Sequence, residues 1–180
     1  DPRFMVELAG VAFKQTNYAA AENWLQRALR LSPRDSYTLD FLATVFYLQG
    51  NIDAALKYWN RVGKPKIGLI AAQPKPKLDP TLLDRAFAFS PASTLKLSDL
   101  RTTGARLQQL NVFSTFRVSL EAQPDNTFNV TFRASERNGC AGNTWACLVV
   151  VFGQTPAQTL NFSYFNMDNK AINFTSMFRW

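Results

Sequence analysis

The sequence contains no histidine. That excludes Ser-His-Asp and Cys-His catalysis, and most catalytic metal centres, which draw on imidazole as base or ligand. No Gly-x-x-x-x-Gly-Lys phosphate loop occurs. The 13 acidic residues are scattered, without a pair spaced for general acid–base work. Two cysteines, with no histidine and no second cysteine motif, do not close a tetrahedral metal site. No apolar run reaches the roughly 18 residues of a membrane helix. There is no start Met and no signal peptide, and Asp1-Pro2 already reads as a helix start, so a piece of a longer protein is expected. The expectation is therefore no catalytic residues, no metal, no cofactor and no small-molecule substrate, hence a binding module rather than an enzyme.

What is present is apolar. Hydrophobic residues make up 47% of the 180, fifteen of them Phe, while charged residues reach only 18%. That composition fills a core and excludes a disordered tail. The length suits one large domain or two small ones. The formal charge is +7. Its densest stretch, Lys57, Arg61, Lys64, Lys66, Lys75 and Lys77, has no acid within it and is broken by three prolines. A solvated linker and a contact for phosphate or lipid headgroups both fit it; nucleic acid is not expected as a partner.

Shifted by 34 residues, the early chain matches itself. Leu8 falls on Leu42, Ala9 on Ala43, Ala12 on Phe46, Tyr18 on Ile52, Ala21 on Ala55, Leu25 on Trp59 and Ala28 on Val62. Within each copy the apolar spacing is helical, three or four residues apart. Gln15-Thr16-Asn17 and Gln49-Gly50-Asn51 are short polar turns, and Pro33 closes the first hairpin because it cannot continue a helix. These residues resemble the tetratricopeptide repeat, with Ala12, Ala9 and Ala43 as departures from its usual aromatic and glycines. The resemblance implies two repeats over residues 1–62. It also implies a protein-binding concave surface on the first helices, here Phe13, Tyr37, Asp40, Thr44 and Tyr47. Packing against a neighbouring repeat would use the same residues. Two repeats are few, so either more precede Asp1 or the next domain caps the stack.

Residues 63–80 read as a basic, Pro-rich linker with one short strand at 67–72. Pro80 to Phe89 reads as a helix, Pro80 suiting its first turn. Ser98 is the expected N-cap of a helix over Asp99 to Leu110. Phe113 to Ala122 and Phe128 to Ala134 alternate as strands around the turn Pro124-Asp125-Asn126. The order is strand, helix, helix, strand, strand. Residues 67–137, above all Leu107-Gln108-Gln109-Leu110-Asn111-Val112-Phe113 and Glu136, resemble the polypeptide-transport-associated (POTRA) domain. The resemblance implies a periplasmic domain before an outer-membrane barrel that handles unfolded polypeptides. Strand addition at a sheet edge is a mechanism for this; the expected edge is Phe116, Arg117, Val118, Ser119 and Leu120, unless a neighbouring domain covers it.

Residues 138–158 connect to the tail. Cys140 and Cys147 flank a candidate hairpin loop, and a disulfide between them would fit a periplasmic setting. In residues 159–180, Leu160, Phe162 and Tyr164, then Ile172, Phe174 and Phe178, alternate with mostly polar residues. Such a β-hairpin resembles the opening of a membrane barrel; a soluble hairpin predicts the same pattern.

The fold class expected is α+β: N-terminal tetratricopeptide hairpins, a β-α-α-β-β unit, then a C-terminal hairpin. The function expected is the periplasmic protein-binding module of an outer-membrane assembly or polypeptide-transport protein of the surface-antigen kind, in a Gram-negative type bacterium. Its partners would be proteins or unfolded outer-membrane client polypeptides, with the outer membrane reached through a C-terminal barrel. The alternative is a soluble tetratricopeptide scaffold with an unrelated α+β interaction domain.

Overall fold

The computed structural model describes residues 1–137 and 158–180, in which helices and strands combine as an α+β protein. Cys140 and Cys147 lie outside the described residues.

Four helices open the chain: α1 (Pro2–Lys14), α2 (Tyr18–Leu31), α3 (Ser36–Leu48) and α4 (Ile52–Trp59). Each starts on a short polar side chain that satisfies an otherwise orphaned N–H. Asp1 accepts from the N–H of Arg3, Asn17 from Ala20, Asp35 from Thr38 and Asn51 from Ala54. Asp1 and Asp35, like Asn17 and Asn51, stand 34 residues apart, so the repeat extends to the caps. Gly50 turns α3 into α4 at φ +79, where a Cβ is unfavourable. Ala9, Ala21, Ala43 and Ala55 are fully buried, letting the helix backbones approach around Leu25, Leu42 and Leu56. A single 3-10 turn, Asn60–Val62, ends the run.

The next unit contains β1 (Lys66–Ala72), α5 (Pro80–Ala86), α6 (Leu97–Leu110), β2 (Phe113–Ala122) and β3 (Thr127–Glu136). The sheet order is β1-β3-β2; β1 runs parallel to β3 and β2 antiparallel to it. From Phe116 onward the even-numbered residues of β2, like those of β3, face the helices, and the bulge between Phe113 and Thr115 brings Phe113 to the same side. Phe132 is fully buried there, met edge-on by Phe87 and Phe113. Its burial stabilises by roughly 2–3 kcal/mol, and Phe132→Ala would cost about 3–5 kcal/mol.

Two expectations are corrected. The helix at Pro80 stops at Ala86, and Phe87 is already extended, with ψ 128. Leaving the helix is what turns Phe87 onto Phe89 and Phe132. Ser98 does not cap α6. The helix starts one residue before it, with Lys96 at the cap position making no side-chain bond. The side chain of Asn60 accepts from the Leu97 N–H instead, at 2.9 Å.

The two units share one core. Trp59 and Tyr47 pack on Phe128 with ring centroids 5.1 and 5.7 Å away. Leu120, Val130 and Ile67 join the same buried cluster as Leu42 and Leu56. So α3 and α4 cover one end of the sheet's inner face, and α5 and α6 the other.

The tail forms a hairpin of β4 (Thr159–Met167) and β5 (Ile172–Arg179). Its tip docks on the second unit. Asn173 donates to the Leu110 carbonyl at 2.8 Å, the Asp79 N–H donates to the Asn169 carbonyl, and Ala171 packs against the cluster that contains Phe132. Register puts Leu160 beside Phe178 and Tyr164 beside Phe174 on one face, with Asn161 and Ser163 on the other. No helix among the described residues is long and apolar enough to cross a membrane.

Candidate functional site

β2 forms one edge of the sheet. The Gln123 N–H donates to the Thr127 carbonyl, and the register from Thr115 to Ala122 is continuous. In an antiparallel pair, hydrogen-bonded and non-bonded positions alternate. The odd-numbered residues of β2 therefore bond to β3, and the N–H and C=O groups of Phe116 and Val118 point away from it. Among the described residues these four groups have no backbone partner. Such an edge is a template for another strand unless something blocks it.

At Leu120 something does. The Tyr47 hydroxyl donates to the Leu120 carbonyl at 2.9 Å, closing that end of the edge. The opposite edge, on β1, is covered along its first half: Ile67 donates to Ser93 and accepts from Ala92, and Leu95 donates to Pro65. β1 also bulges between Ile67 and Ile70, while β2 is regular from Thr115 onward. Among the described residues, the open, straight template is thus the stretch of β2 centred on Phe116 and Val118.

On its inner side this stretch borders a cleft of about 770 Å³ between β2, the start of α4 and α6. Ile52, Leu100, Phe116 and Val118 give it apolar walls. Gly104 on α6 opens it further, since a Cβ there would meet nothing within 4 Å. Arg101 bridges to Asp53 at 3.1 Å across the rim, tying α6 to α4. On the outer side, Arg117 stands directly opposite Arg133 in the ladder, both exposed, beside a furrow of about 320 Å³. Like charges so placed repel. Neither forms an ion pair among the described residues. Glu121, the acid of β2 on that face, accepts from the Thr131 hydroxyl.

The five residues expected on the helical groove fall into two groups. Asp40, Thr44 and Tyr47 are engaged within the chain. Asp40 accepts from Trp59 Nε1 and pairs with Lys64, both at 2.9 Å; Thr44 donates back to the Asp40 carbonyl; Tyr47 reaches Leu120. Phe13 is half-buried against Tyr18 and Phe41. Tyr37 is 67% exposed, with its ring against Phe41. Tyr47 and Leu120, expected in two separate sites, are therefore in direct contact.

Asn60 was not singled out from the sequence. Besides capping α6 it donates to the Lys64 and Leu95 carbonyls, at 2.9 and 2.8 Å. Its partners lie up to 37 residues ahead, so no local pattern marks it. The Arg117–Arg133 pair has a legible signal: once the hairpin register is drawn about Pro124-Asp125-Asn126, the two fall opposite each other.

No protein-family model matches the chain, and no curated protein matches it either. Among solved structures it is similar to the N-terminal domain of Omp85 from the thermophilic cyanobacterium Thermosynechococcus elongatus. The similarity has a TM-score of 0.35 at 19% identity, over 41% of this chain and 34% of that one. The chain thus spans about a third of that structure's length.

Proposed function

We propose that this chain is a polypeptide-binding module that takes up an extended segment on the free edge of β2. The observation that carries this is the set of backbone groups on Phe116 and Val118 that have no partner among the described residues, between an apolar cleft and the Tyr47 stop. Backbone hydrogen bonds at an edge bind with little sequence demand, which suits unfolded clients.

The finer reading is that residues 1–62 are two tetratricopeptide repeats serving as a docking arm, with Tyr37 as the exposed aromatic of their surface. Residues 67–137 are a POTRA-type domain of the periplasm in a Gram-negative type bacterium, and the tail hairpin opens an outer-membrane barrel. The hairpin supports that last point: Phe174, Phe178 and Trp180 lie 49–62% exposed on its apolar face. A barrel strand presents such a face to lipid and its alternate residues to the lumen.

The test is a photo-cross-linking residue at Val118 in the full protein, compared with one at Glu7 on α1. Val118 should capture unfolded outer-membrane polypeptides and Glu7 should not. Equal adduct levels at both positions refute edge addition. The full protein should also sediment with outer membranes, and recovery in a soluble fraction refutes the barrel.

A further inference from the structure

A strand added to β2 does more than satisfy the backbone. Its side chains alternate between the two faces of the sheet. On one side lies the apolar cleft of Ile52, Leu100 and Val118. On the other lie Arg117 and Arg133, two exposed guanidinium groups opposed across the ladder without an acid paired to either among the described residues. The incoming residue beside Arg117 has its Cβ roughly 5 Å from that of Arg117. Arg133 is one strand further, within reach of an extended guanidinium. A carboxylate there relieves the like-charge repulsion, whereas an ammonium adds a third positive charge to it.

We propose that the β2 edge selects extended segments carrying Glu or Asp at the position facing Arg117, with apolar side chains at the flanking positions that enter the cleft. This deepens the strand-addition reading and rests on it. The fold of the sheet needs no arginine at either position, because both side chains are exposed. The Tyr47 hydroxyl at Leu120 limits the register, since an added strand cannot pair with that carbonyl. The segment is thus held with its central residue near Arg117 rather than sliding toward the turn.

The experiment measures fluorescence anisotropy of labelled ten-residue peptides of alternating Val and Thr against the 180-residue chain. One outward Thr at the centre is kept or replaced by Glu or Lys. The Glu peptide should bind about tenfold more tightly than the Lys peptide at low salt, and the gap should shrink in high salt as exposed charges are screened. Arg117→Glu should reverse the order, and Arg117→Gln should bring the two together. Methylating the edge-facing amides of the Glu peptide should abolish binding. Equal affinity for the Glu and Lys peptides, or an order that Arg117→Glu leaves unchanged, overturns the selection while strand addition stands. Insensitivity to methylation identifies a charge-only contact, of the kind a phosphate or lipid headgroup would make, and overturns the proposal. No binding of any peptide overturns strand addition itself.

Discussion

The Tyr47 hydroxyl donates to the Leu120 carbonyl at 2.9 Å, joining the second helical hairpin to the edge strand 73 residues later. The bond ties the helical layer to the sheet beside their shared core and occupies the edge at Leu120. Tyr47→Phe keeps the ring packed on Trp59 and Phe128 and deletes the bond. The expected loss is about 0.5–1.5 kcal/mol in urea unfolding, since the freed carbonyl faces the edge. Peptides reaching past Leu120 should gain affinity at the same time; a stability loss without that gain would limit Tyr47 to packing.

Asn60 is expected to matter more than its polarity suggests. Asn60→Ala removes the α6 cap and two donated bonds, for about 2–4 kcal/mol. Asn60→Asp keeps the acceptor for the Leu97 N–H but turns a carboxylate oxygen toward the Lys64 and Leu95 carbonyl oxygens, so it should lose as much as Asn60→Ala or more in thermal unfolding. A loss clearly smaller than that of Asn60→Ala would show that the two donated bonds contribute little.

Two glycines should respond with opposite sign to the same change. A Cβ on Gly68 would sit 2.8 Å from Asn129 Oδ1 and 2.9 Å from Thr127 Oγ1. Gly68→Ala must push both side chains aside and should destabilise by roughly 1–3 kcal/mol. Gly104 lies inside α6 with open space around it, so Gly104→Ala should stabilise by about 0.5–1 kcal/mol. Gly104→Phe should fill the cleft and weaken peptide binding with the fold intact. Chemical denaturation and anisotropy on the three variants check this.

Acid should loosen two helix caps and the turn between β2 and β3. The Thr38 hydroxyl and then its N–H hold Asp35 below the usual carboxylate range. The N–H of Thr81 does so for Asp79, with Lys170 of the hairpin tip adding a smaller attraction. The Thr127 hydroxyl does so for Asp125. A carboxyl with a depressed folded pKa stabilises fully above its unfolded value, about 3.9, and that contribution is lost as pH falls through the folded value. The urea midpoint should therefore be flat from about pH 5 to 7 and fall below pH 4. The Asp35→Asn, Asp79→Asn, Asp125→Asn triple variant should flatten the acid limb, and an unchanged limb would point to other groups.

The helical half was legible in detail because its signals are local. Apolar residues three and four apart and Gly50 at a positive φ act within one hairpin, and the 34-residue period relates that hairpin to its neighbour. The strands were legible from alternation around Pro124-Asp125-Asn126. The failures share one physical cause. Ser98 has the chemistry of a cap, but Asn60 from the other unit reached the helix start first. Phe87 fits the apolar stripe of α5, yet a better contact with Phe132 draws it out of the helix. The charge pattern of residues 57–77 showed Lys64 as one of six cations, without revealing that Asp40 holds it. In each case distant packing outcompeted a local preference, and no window of the sequence contains both partners.

The sheet's middle strand is its last in sequence. β1 and β2 never touch as neighbours; each depends on β3, which ends at Glu136. A chain emerging from the ribosome therefore carries β1 and β2 as unpaired strands until residues 127–136 are free, while the helical hairpins can already pack. Pairing of both other strands waits on one ten-residue segment. Truncation before Thr127 should leave residues 66–122 without a sheet at all, a dependence on order of synthesis that the finished fold conceals.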